Sequence, residues 1–188
     1  MNIFVLDEDP IKAAQMLCDC HVRKMLLESC QLLSTHDRIT NRHIDLSGLY
    51  KSTHENHPCR KCLYNDANRM WLVCYTNALV HEYHTRFGKW HKCTDMVRRY
   101  WPSPEVDSYM EYGSGLMYAG HIYAIKQRLT IPRVMPSEFI VGPDKLVWIV
   151  SSYRDYYKNY KKPKLINNNK RGNMWKFTNR EDWTHELS

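Results

Sequence analysis

Residues 17–33, LCDCHVRKMLLESCQLL, decide how the rest of the chain is interpreted. Their apolar side chains recur at three- and four-residue steps, and this spacing predicts a helix that is buried along one side. His21, Lys24 and Glu28 lie beside the apolar positions, within an arc of roughly 60° at 3.6 residues per turn. An imidazole, an amine and a carboxylate that are half shielded from water form the setting that an acid/base residue or an amine nucleophile needs.

The same three residues also have a structural interpretation. Lys24 and Glu28 have the spacing of an i,i+4 ion pair, and His21 would then be a boundary residue whose ring has a partner. Because structural ion pairs also perturb titration, the pattern leaves both interpretations open.

Length and composition predict one domain over residues 1–188. The chain has 188 residues, of which 43% are hydrophobic and 25% charged, as is usual for a globular protein. The acidic opening MNIFVLDEDP does not resemble a signal peptide, and no apolar run is long enough for a membrane span. The seven cysteines follow no disulfide framework. We therefore predict a cytoplasmic protein with reduced thiols (host cytoplasm if phage-encoded) and no membrane partner.

The periodic segments predict an all-α fold, a single compact helical domain with long connecting loops. Asp9-Pro10 is a helix-start signal, and Gly88 is a stop signal. No internal repeat, phosphate-binding glycine loop or strand–helix alternation is present in the sequence. Helices are predicted over residues 10–33, 60–86 and 92–100 and from Pro143-Asp144 through KLVWIVSSYRDYYKNY. A long loop is predicted at 34–58, and the middle of the chain is predicted to be irregular at Pro102, Pro104, Gly113 and Gly115. After Pro163 we predict a polar tail that Trp175 and Trp183 attach to the body.

The positive charge is concentrated in segments that are rich in aromatic residues. The net charge is +7, and residues 151–188 supply +5 of it, from nine Lys/Arg and four Asp/Glu. The segment RFGKWHKCTDMVRRYW has five basic residues and one acid, and YRDYYKNYKKPK interleaves four tyrosines with five basic residues. This pattern indicates a nucleic-acid partner. The alternatives are a solubilising charged face and tyrosines that simply fill the core.

Cysteine and histidine occur together in CDCH and in HPCRKC, so a zinc site is considered. Cys18 and Cys20 are two residues apart on the predicted helix, and on a helix that spacing directs side chains apart. Only Cys59 and Cys62 form a CxxC pair, and no second pair accompanies it. The prediction is therefore no metal and no cofactor.

Three blocks of the sequence resemble the pyrimidine-dimer DNA glycosylases of the phage endonuclease V type. The first is an L-x-D-x-H pattern followed by a glutamate seven residues after the histidine. The second is the long helix, and the third is YRDYYKNYKK, where the family has a terminus rich in Trp, Tyr and Lys. The residues of the first block are Leu17, Asp19, His21 and Glu28. Those of the second block are His57, Met70, Trp71, Leu79, Glu82 and Arg86.

The resemblance implies a compact all-α DNA glycosylase with AP-lyase activity. Such an enzyme flips a damaged pyrimidine nucleotide, attacks the sugar C1′ with an amine to form a Schiff base, and nicks the strand by β-elimination. Glu28 would stabilise the cationic sugar and transfer protons, and His21 would orient the sugar and phosphate. The alternatives are another phage enzyme that modifies DNA bases on this scaffold, and a non-catalytic module that binds nucleic acid or protein.

The sequence departs from the family pattern at the amine and at the DNA-gripping arginines. The family nucleophile is the backbone amine exposed when the initiator Met is removed before a small residue, whereas here Asn2 follows Met1. Lys24 is the alternative nucleophile. Leu27 and Gln31 occupy the places of the family arginines.

The catalytic candidates are Glu28, His21, Lys24, Met1 and Asn2. The nucleic-acid-binding candidates are Arg23, Arg38, His57, Arg86, Lys89, Arg98, Arg99, Tyr153, Arg154, Tyr157, Lys158, Lys161 and Lys162.

Overall fold

The computed structural model describes residues 1–41, 45–100, 125–167 and 174–185. Within these ranges the chain is helical and contains no strand, which confirms the predicted all-α class. The predicted irregular middle at Pro102–Gly115 lies outside the described residues. The helices are α1 Pro10–Gln15, α2 Asp19–Thr40, α3 Pro58–Lys61, α4 Asp66–Phe87, α5 Thr94–Tyr100, α6 Leu146–Tyr156 and α7 Lys162–Asn167, with 3-10 turns at Cys62–Tyr64, Ser137–Phe139 and Trp183–His185.

The core forms where α4 packs against α1 and α2. The N-terminal segment Ile3–Leu6 is itself buried within this core. As predicted, α4 ends at Gly88, which caps it in the left-handed region at φ 64°. No helix in the described ranges is long and apolar enough to cross a membrane.

The predicted helix over residues 10–33 is in fact two helices, which separate at residues 16–18. The sequence has no glycine or proline there to signal the break. Distant side chains instead capture the backbone groups that a continuous helix would pair internally. The Arg86 guanidinium donates to the carbonyls of Gln15 (2.8 Å) and Leu17 (2.6 Å), and the Cys18 N–H donates to the Tyr157 hydroxyl at 2.9 Å.

Helix α2 extends beyond the predicted end at Leu33 and stops at Thr40, so the first part of the predicted 34–58 loop is helical. The hydrophobic period ends at Leu33 because the next buried positions are polar. Ser34 accepts a hydrogen bond from the Tyr50 N–H, and Asp37 pairs with Arg69 at 3.1 Å. A buried polar helix face with partners elsewhere in the fold is not visible to a periodicity argument.

The C-terminal helix continues past Pro163 to Asn167, further than predicted. A π-helical turn at Tyr157–Lys161 joins α6 to α7, so Pro163 falls in the first turn of α7, where its missing N–H is tolerated. The tail packs as predicted: Trp175 is buried, and the Trp183 indole donates to the Met16 carbonyl at 2.7 Å.

Candidate active site

Glu28 lies on α2 and faces the start of the chain. Its side chain is 15% exposed, and its Oε1 lies 3.6 Å from the Lys24 ammonium, the i,i+4 pair that the spacing predicted. Its Oε2 accepts a hydrogen bond from the backbone nitrogen of Asn2 at 3.3 Å. The carboxylate therefore has a nitrogen on each oxygen, one from a helix neighbour and one from the second residue of the chain.

The backbone nitrogen of residue 2 is held in place by its own side chain. The Asn2 amide donates to the Val134 carbonyl at 2.8 Å, and its oxygen lies 2.9 Å from the Tyr153 hydroxyl. The following residue, Ile3, donates its N–H to the same oxygen and is buried. These contacts fix the position of this nitrogen relative to Glu28.

Tyr75 of α4 adds a hydroxyl to the same region. It is fully buried, stacked on Trp71, and its oxygen has no hydrogen-bond partner among the described residues. Burial, together with the negative charge of Glu28, raises the pKa of Tyr75 well above its usual range. The hydroxyl therefore stays protonated near Glu28, with its donor capacity unused.

The charge of Glu28 also acts on His57. Burial, the positive chain terminus and His54 lower the pKa of His57, while Glu28 acts in the opposite direction. Its Nδ1 accepts the Cys59 N–H at 3.1 Å and so caps α3. Folding therefore favours the neutral form of the His57 imidazole.

Lys161 brings a second lysine to this neighbourhood. Burial and the positive charges of Lys24 and Lys164 lower the pKa of Lys161, and Glu28 opposes that shift. Its ammonium lies 5.1 Å from the Tyr156 ring centroid. The charges of Lys24, from α2, and of Lys161, from the π-helical turn, therefore both act on the Glu28 carboxylate.

His21 is buried against Tyr157, Cys18 and Phe4. Its Nδ1 lies 2.8 Å from the Tyr157 hydroxyl and 3.4 Å from the Cys18 sulfur, and its ring contacts Phe4 at 5.1 Å. Only 5% of the residue is exposed. The structure gives no support to a direct contact of His21 with a sugar or phosphate.

The expectation that Cys18 and Cys20 point apart is wrong, since their sulfur atoms lie 3.4 Å from each other. Cys18 is the N-cap of α2 in extended conformation, at φ −68° and ψ 159°, and is not part of the helix. Although burial opposes ionisation, hydrogen bonds from Cys20, His21 and Tyr157 lower the pKa of Cys18 to about 4. The hydrogen bond to Cys18 and burial raise the pKa of Cys20 above its usual range.

Three of the predicted nucleic-acid ligands are buried, which corrects their assignment. Tyr153 and Tyr157 have no exposed surface and belong to the core. Arg86 is also buried and pairs with Asp19 (3.1 Å) and Glu82 (3.0 Å). A side chain without surface cannot contact a DNA backbone, so the structure gives these residues packing and hydrogen-bonding roles.

Four other predicted ligands are engaged with the protein itself. Arg38 donates to three carbonyls of the 46–50 loop, and each of the other three residues pairs with an acidic side chain. These four are Arg38, Arg99 (with Asp45), Arg154 (with Asp7 and the Leu6 carbonyl) and Lys162 (with Asp182 and Thr184).

The remaining predicted cations lie at two places. Arg23 is exposed on α2 with its guanidinium 5.0 Å from the Phe87 ring centroid, while Lys158 and Lys161 lie on the π-helical turn, from which Lys161 interacts with Glu28. Lys89 and Arg98 flank Trp90, which is 49% exposed and stacks on His84 at 4.0 Å between ring centroids. The latter group is an exposed aromatic surface bordered by cations.

The sequence predicts the pairing of Glu28 with Lys24, which the structure has, but gives no signal for two other groups that interact with these residues. Tyr75 follows Trp71 by four residues on the buried face of α4, a spacing that signals burial but not a hydroxyl near Glu28. The Val134 carbonyl, which holds Asn2, lies in an irregular segment that carries no periodic signal.

The fold defines an all-α protein in which Glu28 is a largely buried carboxylate, with the second backbone nitrogen of the chain on one oxygen and Lys24 on the other. A family model for pyrimidine dimer DNA glycosylase matches residues 1–97. The chain belongs to this family and is thus a protein of the DNA glycosylase kind, as its sequence resemblance implied. No curated protein and no solved structure matches the chain significantly.

Proposed function

We propose that this protein is a DNA glycosylase with AP-lyase activity on a damaged or modified pyrimidine, and that an amine beside Glu28 is its nucleophile. The observation that carries the proposal is the 3.3 Å contact between the Asn2 backbone nitrogen and the Glu28 carboxylate. Family membership supports DNA as the substrate.

The reaction begins with a nucleotide flipped out of the duplex, which costs a few kcal/mol and least where pairing is already damaged. The lone pair of the amine forms a bond to the sugar C1′, and the bond from C1′ to the base breaks, its electrons leaving with the base, which is protonated. The Glu28 carboxylate stabilises the cationic sugar and accepts the proton that the amine loses.

Ring opening then gives an imine between C1′ and the amine nitrogen. Removal of a proton from C2′ moves electrons toward the imine and expels the 3′ phosphate, which nicks the strand. Hydrolysis of the imine releases the sugar fragment and restores the amine. A single carboxylate can act at each proton transfer because it is basic after one step and acidic after the next.

The amine of residue 2 is the preferred nucleophile. While Met1 is attached, this nitrogen is an amide, and removal of Met1 would turn it into a primary amine beside Glu28. α-Amines as a class are less basic than lysine side chains by roughly 2–3 pK units, so a larger fraction is uncharged at neutral pH. Lys24, whose side chain is 61% exposed, is the alternative.

The cations around Glu28 suit the phosphates that flank a flipped nucleotide. Lys24 is exposed on α2 and pairs with Glu28 at 3.6 Å, and Lys161 interacts with Glu28 from the π-helical turn. Binding through such contacts should weaken steeply with salt, because each neutralised phosphate releases condensed counterions.

Borohydride trapping tests the mechanism, with pyrimidine-dimer duplex and abasic duplex as separate substrates. Reduction of the imine should leave a covalent protein–DNA adduct, and peptide mapping of the adduct identifies the nitrogen. We expect the adduct on residue 2 in chains that intact mass shows to lack Met1. An adduct on Lys24 would assign the alternative nucleophile, and Lys24→Arg would then abolish trapping whereas Lys12→Arg, at an exposed position on α1, would not.

Absence of an adduct with both substrates would overturn the Schiff-base mechanism. Mass spectrometry of the DNA then separates the remaining functions: an altered base without a nick would indicate a base-modifying enzyme. Unchanged DNA with salt-sensitive binding would indicate a non-catalytic module.

A further inference from the structure

The start of α2 carries a second group of reactive side chains that the proposed glycosylase chemistry does not use. The sulfurs of Cys18 and Cys20 and the Nδ1 of His21 all lie within 4.8 Å of one another. The two sulfurs are 3.4 Å apart, and the Cys18 sulfur is 3.4 Å from the His21 nitrogen. Two thiols and an imidazole nitrogen make a donor set that zinc prefers.

The backbone explains why these three atoms converge. Cys18 is the extended N-cap, so its side chain turns back over the first turn of α2, where Cys20 and His21 lie. The break between α1 and α2, which Arg86 and Tyr157 maintain, is what frees Cys18 from helical geometry. The cluster is therefore a product of the tertiary fold.

The distances are close to those of a metal site. With Zn–S of about 2.3 Å and Zn–N of about 2.05 Å, tetrahedral angles place two sulfur ligands about 3.8 Å apart and a sulfur and a nitrogen about 3.6 Å apart. Side-chain shifts of a few tenths of an ångström would convert the observed 3.4 Å separations into these values.

We propose that Cys18, Cys20 and His21 bind one Zn²⁺ ion, with the fourth position open to solvent. Both thiols would lose their protons on binding, and the His21 Nδ1 would direct its lone pair to the metal. Cys20 is only half-buried and gives the ion a path to the site, whereas Cys18 and His21 are buried.

Tyr157 provides the outer partner that such a site requires. Its hydroxyl lies 3.2 Å from the Cys18 sulfur and accepts the Cys18 N–H at 2.9 Å. When Nδ1 of His21 is metal-bound, this hydroxyl can donate to the Cys18 thiolate instead of the imidazole. The ion would thereby link the start of α2 to the C-terminal helix.

Titration of the whole chain with Co²⁺ tests the site, because thiolate ligands give cobalt an intense near-ultraviolet charge-transfer absorption. The protein is first stripped of metal and kept reduced with a phosphine, which does not compete as a thiol would. We expect one equivalent of Co²⁺ to bind with thiolate absorption, Zn²⁺ to displace it, and Zn²⁺ to raise the melting temperature.

Cys20→Ser is the discriminating variant because its side chain is not fully buried, and Cys62→Ser is its matched control. Cys62 is also half-buried, but its thiol donates to the Cys59 carbonyl away from the cluster. We expect Cys20→Ser to weaken Co²⁺ binding more than about 100-fold, since even outer partners of metal ligands are worth about 10–100-fold. Cys62→Ser should bind as the unmodified chain does.

The proposal would be overturned by binding without thiolate absorption, or by an equal loss in Cys20→Ser and Cys62→Ser. It would also be overturned if Zn²⁺ left the melting temperature of the unmodified chain unchanged. Each readout is independent of DNA cleavage, so failure of the metal site and failure of the proposed glycosylase activity are distinguishable.

Discussion

Two glutamates on facing helices, Glu28 of α2 and Glu82 of α4, show how the same residue type acquires different roles. Each forms an i,i+4 pair with a basic residue of its own helix, Lys24 or Arg86. The Glu82 carboxylate is additionally bound by Arg180, so two guanidiniums neutralise it. Hydrogen bonding to Glu82 raises the pKa of Arg180 in turn.

Glu28 has weaker partners. It has one exposed lysine at 3.6 Å and one backbone N–H at 3.3 Å, while the Tyr75 hydroxyl nearby has no hydrogen-bond partner among the described residues. A buried carboxylate with two guanidiniums is a structural element, because every charge there is compensated. A carboxylate that keeps capacity for further hydrogen bonds is available to a substrate. The ion-pair and hydrogen-bond partners of the two glutamates, rather than their burial, therefore distinguish their roles.

The largest expected effect is that of Glu28→Gln. It should reduce borohydride trapping by about 100- to 10,000-fold, the range of general acid–base catalysis. Stability should change by less than about 1 kcal/mol, because the one ion pair that Glu28 forms among the described residues has an exposed lysine. Single-turnover trapping and urea unfolding measure the two quantities. Glu138→Gln, at an exposed position, is the control that should alter neither.

Glu82→Gln should show the reverse pattern. Loss of the charge leaves two guanidiniums, those of Arg86 and Arg180, with Asp19 as the acidic partner of Arg86, and we expect this imbalance to destabilise the fold by about 3–5 kcal/mol. The fraction that remains folded should trap DNA at a normal rate. If urea unfolding showed Glu82→Gln to be as stable as the unmodified chain, the contrast between the two glutamates would fail.

Tyr75→Phe tests the role of the Tyr75 hydroxyl, which has no hydrogen-bond partner among the described residues. We expect the urea midpoint to stay the same or to rise, because the substitution removes a buried donor that has no acceptor among the described residues. Trapping should fall by about 10- to 150-fold, since a hydrogen bond to a charged group contributes about 1.5–3 kcal/mol. The matched control is Tyr153→Phe, which loses the contacts to Asn2 and the Pro132 carbonyl and should lower the midpoint.

The smallest expected effect is a pH dependence from His57. The pKa of His57 in the folded chain is below its usual value of about 6.5, chiefly because of burial, so the unfolded chain binds the proton more tightly. Its contribution is therefore complete above about pH 6.5 and declines as the pH falls toward the folded pKa. Unfolding free energies at several pH values between about 7.5 and 5 measure the slope.

His57→Asn removes the titrating ring and retains an N-cap acceptor for the Cys59 N–H. This variant should lose less stability on acidification than the unmodified chain does. Equal slopes for the two proteins would show that folding does not lower the pKa of His57.

Much of the fold could be predicted from local patterns. The spacing of Ala67, Trp71, Cys74 and Leu79 identifies the long central helix, although the predicted start at residue 60 falls in α3 and a 3-10 turn that precede it. Gly88 ends the helix as expected because glycine readily adopts positive φ. Lys24 and Glu28 had to meet, since i,i+4 geometry follows from the helix itself. These predictions depend on interactions within a few residues of the chain.

The errors lie where distant side chains determine the backbone. The break at Cys18 and the buried polar turn after Leu33 each depend on a partner far away in sequence. The same applies to the predicted DNA ligands Arg86, Tyr153 and Tyr157, whose basic or aromatic character suggested a surface but whose partners bury them. Local pattern does not encode such partners.

The sequence by itself determined the all-α class, the family and the pairing of Glu28 with Lys24, because helical periodicity and short motifs are local properties. Only the tertiary structure decided that the nitrogen of residue 2 lies at Glu28 and that Cys18 turns toward Cys20. Both contacts depend on where the chain is held by hydrogen bonds between residues more than one hundred positions apart, such as that of Tyr157 with Cys18.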